Sequence, residues 1–123
     1  IHDLVLRMQM SSLSFILHPR VMKRLSDSSQ YGNEYLPNEV LEDIFKGIFV
    51  PREIPSTFKM NLQSAYVDGL IEAMSDGSYD EISRAAIFSS LNKIKNFTNS
   101  AYGNDMVKGH FNYLNWKIND ALD

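Results

Sequence analysis

The stretch Ser56-Thr57-Phe58-Lys59-Met60-Asn61-Leu62-Gln63-Ser64-Ala65-Tyr66-Val67-Asp68-Gly69-Leu70-Ile71-Glu72-Ala73-Met74-Ser75-Asp76-Gly77 decides the fold. Leu62, Tyr66, Gly69, Leu70 and Ala73 recur at the three- and four-residue spacing that lines one face of an α-helix. Ser56 or Thr57 is a suitable N-cap, since a hydroxyl oxygen there accepts a backbone N–H that the first turn leaves free. Asp76-Gly77 is a stop. The stretch therefore predicts a long helix with one buried side.

The same pattern extends outward in both directions. Downstream, Ser78 and Glu81 have the spacing of a capping box. The helix they open turns Ile87, Leu91, Ile94 and Phe97 or Thr98 inward. Gly103-Asn104 breaks the chain, and a last helix carries the seam Val107, Phe111, Leu114, Ile118 and Leu122. Upstream, Pro51 and Pro55 make 49–55 an extended connector. Pro37 opens a helix with Glu39, Glu42 and Asp43 near its positive N-terminal end and the stripe Val40, Leu41, Ile44, Phe45 and Ile48. Residues 26–34, with Gly32-Asn33, read as a loop. Pro19 suits the first position of a helix bearing Val21, Met22 and Leu25. It also limits an earlier helix whose apolar face is Leu6, Met10, Leu13 and Leu17. No run alternates as a strand does. The expected fold is all-α, a bundle of five or six helices in a single domain over residues 1–123.

Composition supports a packed core and narrows the chemistry. With 44% hydrophobic and 22% charged residues, 123 residues make one globular domain without staples. The net charge of −3 argues against nucleic acid, whose phosphates need a concentrated positive field. Arg20, Lys23 and Arg24 are the one local basic group, and a solvated helix face accounts for them. No apolar run reaches the length of a membrane span. With no cysteine, disulfides and thiolate chemistry are excluded.

The remaining side chains form no complete active site. His2, His18 and His110 are too far apart for two to share a helix face and a metal. His18, before a proline at a helix junction, suits a backbone cap. Glu39, Glu42 and Asp43 are explained by a helix N-terminus. Ser11, Ser12, Ser14, Ser28, Ser29, Ser89 and Ser90 include no Gly-x-Ser-x-Gly elbow. Asn96-Phe97-Thr98 matches a glycosylation triplet, but inside an expected helix. Most aromatic residues belong in the core. Tyr113 and Trp116 are offset from the last seam and are candidate partner contacts.

Two stretches resemble a known family. One is 13–25, Leu13-Ser14-Phe15-Ile16-Leu17-His18-Pro19-Arg20-Val21-Met22-Lys23-Arg24-Leu25. The other runs from Tyr35-Leu36-Pro37 through Val40-Leu41-Glu42-Asp43-Ile44 and Gly47-Ile48-Phe49 to Asn61-Leu62-Gln63-Ser64-Ala65-Tyr66-Val67. Together they are similar to the C-terminal region of bacterial zinc-dependent metallopeptidases related to the metzincins, and Ala121-Leu122 fits its usual close. The chain departs from that pattern at Met60 and Ser64, where basic residues are usual, and at Phe49, where a Trp is usual; Lys59 keeps part of the charge.

The resemblance implies a zinc motif upstream of Ile1, with no catalytic residue, zinc or other cofactor held by these residues. It makes Lys59, Asn61, Gln63 and Tyr66 candidate contacts to an upstream peptidase domain of the same chain, while Tyr113 and Trp116, read from their offset, are candidate contacts to that domain or to another partner. The opening Ile1-His2-Asp3 reads as a fragment of that longer chain. Export to the periplasm or cell surface follows from the resemblance alone. The expected role is a non-catalytic domain supporting the peptidase unit. The alternative is a free-standing helical interaction module. An enzyme with a composite histidine–carboxylate site is a third reading.

Overall fold

The computed structural model describes residues 18–28, 47–50, 52–76, 81–99 and 103–123. They form four helices: α1 (Pro19–Ser28), α2 (Thr57–Met74), α3 (Glu81–Thr98) and α4 (Asp105–Leu122). No strand occurs among the described residues, so the chain is all-helical there as expected. Four helices are fewer than the five or six expected. The helix expected around Leu6, Met10, Leu13 and Leu17 lies outside the described residues. So do His2, Ser78 and most of the helix with Glu39, Glu42 and Asp43.

Helix starts follow from local chemistry. At α1, Pro19 takes the first position, where no N–H is needed. His18 is the cap: its Nδ1 accepts the Arg20 N–H at 3.0 Å, and its carbonyl accepts the Met22 N–H at 2.9 Å. At α2, Ser56 rather than Thr57 is the cap, with its side chain accepting from the Lys59 N–H at 3.2 Å. The connector before it is not extended throughout. The Glu53 N–H donates to the Val50 carbonyl at 3.3 Å, closing a turn in which Arg52 adopts a left-handed φ of 61°. At α4, Asn104 caps through the Val107 N–H at 3.0 Å.

Packing gives α2 the central place. It touches all three other helices, whereas α1 touches only α2 among the described helices and α3 packs with α4. Its burial matches that position. Beyond the expected Leu62, Tyr66, Gly69, Leu70 and Ala73, α2 also buries Met60, Gln63, Ala65 and Val67, a surface much wider than one stripe. The outer helices keep narrower seams: Ile87, Ser90, Leu91, Ile94, Phe97 and Thr98 in α3, and Val107, Phe111, Leu114 and Ile118 in α4. Leu122 is only partly buried.

Gly69 sets the α1–α2 distance. A Cβ built on it would lie 2.7 Å from the Cα of Val21, a backbone atom that cannot turn aside. Edge-on ring contacts join the other elements: Phe49 to Tyr66 (centroids 6.1 Å apart), Phe49 to Phe97 (5.5 Å) and Phe97 to Phe111 (5.6 Å). Such contacts add about 0.5–1.5 kcal/mol each beyond the area they bury.

Candidate functional site

Gln63 is the polar centre of the bundle. It is 1% exposed, yet both ends of its amide are bonded. Its Nε2 donates to the Ile48 carbonyl at 2.6 Å, and its Oε1 lies 2.8 Å from Nε2 of His110. A carbonyl oxygen can only accept, so the Ile48 contact fixes which way the amide faces. Gln63 Oε1 also only accepts, so His110 Nε2 must carry the proton. Burial pushes the His110 pKa below its ordinary 6.5, which favours that neutral ring. The result is a relay from α4 through α2 to residue 48. Its job is structural: a buried carbonyl left without a donor would cost about 1–3 kcal/mol.

His18 is similarly occupied. With Nδ1 accepting from Arg20, its proton sits on Nε2, which faces Asp76 Oδ2 at 3.5 Å. The imidazole thus joins the start of α1 to the residues after α2. Two acids on α2, one helical turn apart, reach different neighbours. Glu72 accepts from Arg24 of α1, with Nε at 3.0 Å, and that bond holds its carboxyl below the usual range. Asp68 pairs with Lys117 of α4. The contacts 63 to 110 and 68 to 117 advance together, so α2 and α4 run the same way.

A second polar network ties α3 to α4. Asn115 donates to Thr98 Oγ1 and to Asn99 Oδ1, each at 3.0 Å, and accepts from Asn119 at 2.8 Å. The Thr98 hydroxyl in turn donates to the Lys95 carbonyl at 2.7 Å. Thr98 of the Asn96-Phe97-Thr98 triplet is therefore buried and in structural use.

The six candidate contact residues separate into three groups. Gln63 and Tyr66 are inside the core, at 1% and 0% exposure, where they bond and pack within the bundle rather than offering a surface. Lys59 is half-buried and paired with Glu53, and Asn61 is exposed beside it in sequence. Tyr113 and Trp116 stand out from α4, 51% and 62% exposed, with stacked rings 6.3 Å apart and 21° from parallel. The Lys117 ammonium lies 5.3 Å from the Tyr113 ring centre. Met106, at 62%, continues this surface one helical face away from the seam.

The outer surface holds further apolar groups: Ile54, Phe58, Ile82 and Phe88 are exposed. Among the described residues no cluster of three or more His, Asp or Glu side chains could hold a metal. None of their helices is long and apolar enough to cross a membrane. The arrangement offers recognition by shape and apolar contact. The Gln63–His110 contact escaped sequence reasoning; its one trace was a glutamine within an apolar arc. No protein-family model matches the chain, and no curated protein or solved structure matches it either.

Proposed function

We propose that this chain is a non-catalytic helical domain that packs against and supports the catalytic unit of a zinc metallopeptidase. The observation that carries the docking role is the outer face of α4. Met106, Tyr113 and Trp116 are all more than half exposed there, while the seam on the opposite side is closed. Large apolar groups gathered on one face mark a contact surface more often than isolated ones do. The nature of the neighbour rests on the resemblance of 13–25 and 35–67 to the C-terminal region of such peptidases. Further helices read over 6–17 and 37–48 would complete a bundle of six.

The test uses the isolated domain and the natural polypeptide that contains it. The isolated domain is expected to show no peptidase activity and no stoichiometric zinc. The natural polypeptide is expected to bind zinc and to cleave casein in a chelator-sensitive way. Stoichiometric zinc on the isolated domain would refute a purely supporting role. A zinc-free, inactive natural polypeptide would refute the peptidase neighbour and leave a helical interaction module in its place.

A further inference from the structure

We infer that the outer face of α4 receives an amphipathic helix carrying a basic residue toward each end. The inference deepens the docking reading above and rests on it, but not on the neighbour being a peptidase.

Helical geometry at about 100° per residue aligns Asp105, Gly109, Tyr113, Trp116 and Asp120 on one stripe, with Met106 at its edge. Gly109 favours the close approach of a partner backbone. It lies inside α4, is exposed, and a Cβ built on it would meet nothing within 4 Å. Among the described residues no contact requires a glycine there, and an exposed helical glycine costs stability relative to alanine. Its effect is a notch between Met106 and Tyr113 where another backbone can approach closely.

Charge selects the occupant. Exposed Asp105 and Asp120 bracket the apolar stripe, roughly 22 Å apart at the helical rise. A second copy of α4 laid along the first would set acid against acid in either direction. An anionic lipid surface would meet the same repulsion. A helix with lysine or arginine toward each end would meet attraction at both. Lys117 does not cancel these acids, since it is engaged by Asp68.

Trp116 makes the test direct, because it is the only tryptophan in the chain and stands 62% exposed. Two synthetic leucine–alanine amphipathic helices serve as probes, identical except for lysines or glutamates at both ends. The lysine-ended peptide is expected to move Trp116 emission saturably to shorter wavelength. The glutamate-ended peptide should bind about tenfold more weakly. Exchange of both acids, Asp105→Lys with Asp120→Lys, is expected to reverse that preference while far-UV circular dichroism stays unchanged. Gly109→Leu is expected to weaken the lysine-ended peptide about tenfold by filling the notch. Equal binding of both peptides, or no response of Trp116, overturns the inference. So does a shift that follows protein concentration alone, which marks self-association, or one produced only by phosphatidylglycerol vesicles. None of these outcomes touches the zinc assay, so failure here is distinct from failure of the peptidase reading.

Discussion

Gly69→Ala probes the close approach of α1 to α2. The added methyl would sit 2.7 Å from Val21 Cα and 3.2 Å from both Val21 N and Cγ2. Carbon–carbon contacts settle at about 3.5–4.0 Å, so α1 and α2 would have to separate by about 1 Å. Overpacking of this kind costs about 1–3 kcal/mol. Alanine returns up to about 1 kcal/mol through its helix propensity. Because the obstacle is a backbone atom, the cost falls in the upper half of that range, and the net expectation is a loss of about 1–2 kcal/mol, or a melting point lower by about 4–8 °C at this chain length.

Urea unfolding followed by circular dichroism measures it, with Gly109→Ala as the matched control. That second methyl meets open space, so the control should gain about 0.5–1 kcal/mol. Val21→Ala adds a sharper check. It removes Cγ2 but leaves the Cα and N contacts, so it should not rescue Gly69→Ala in a double-mutant cycle. A Gly69→Ala protein as stable as the parent, or one rescued by Val21→Ala, would refute the backbone-contact reasoning.

Other contacts give smaller or pH-dependent effects. Gln63→Leu strips the donor from the Ile48 carbonyl and the acceptor from His110, and should cost about 2–3 kcal/mol in the same unfolding assay. Because burial lowers the folded-state pKa of His110, its neutral form is favoured in the fold. That contribution is fully present above the unfolded value of 6.5 and is lost as pH falls below it, since the unfolded chain then binds the extra proton. A His110→Gln variant should show a shallower decline in stability between neutral and mildly acidic pH; an unchanged slope would count against this account. His18→Ala removes the α1 cap and should cost about 1 kcal/mol, with part restored by His18→Asn, whose oxygen can accept the Arg20 N–H. Trp116→Phe should leave stability within about 0.5 kcal/mol, as expected of an exposed residue.

The polar contacts divide by exposure. Arg24 and Glu72 are 47% and 32% exposed, so water and salt screen their attraction, and such a pair contributes about 0–1 kcal/mol. The Gln63 relay is buried, where losing one partner strands another. It therefore constrains which helices meet more strongly than the surface ion pairs do.

Much of this architecture was legible from local chemistry. His18-Pro19, Ser56 and Gly103-Asn104 each mark a helix start because capping depends on residues three or four positions away at most. The seams Ile87, Leu91, Ile94 and Val107, Phe111, Leu114, Ile118 could be read for the same reason: helical periodicity is a property of one segment. The offset of Tyr113 and Trp116 from the last seam likewise foretold their exposure. Partnership between segments could not be read in that way. Residues 63 and 110 are 47 positions apart, and nothing in either helix alone selects the other. Lys59, Asn61, Gln63 and Tyr66 are close in sequence, yet only assembly separates the buried pair from the two nearer the surface. Gly69 shows the division in one residue. Its place on the buried side followed from spacing, but that it must remain a glycine follows only from Val21 crossing α2 at that point, a long-range contact that periodicity does not encode.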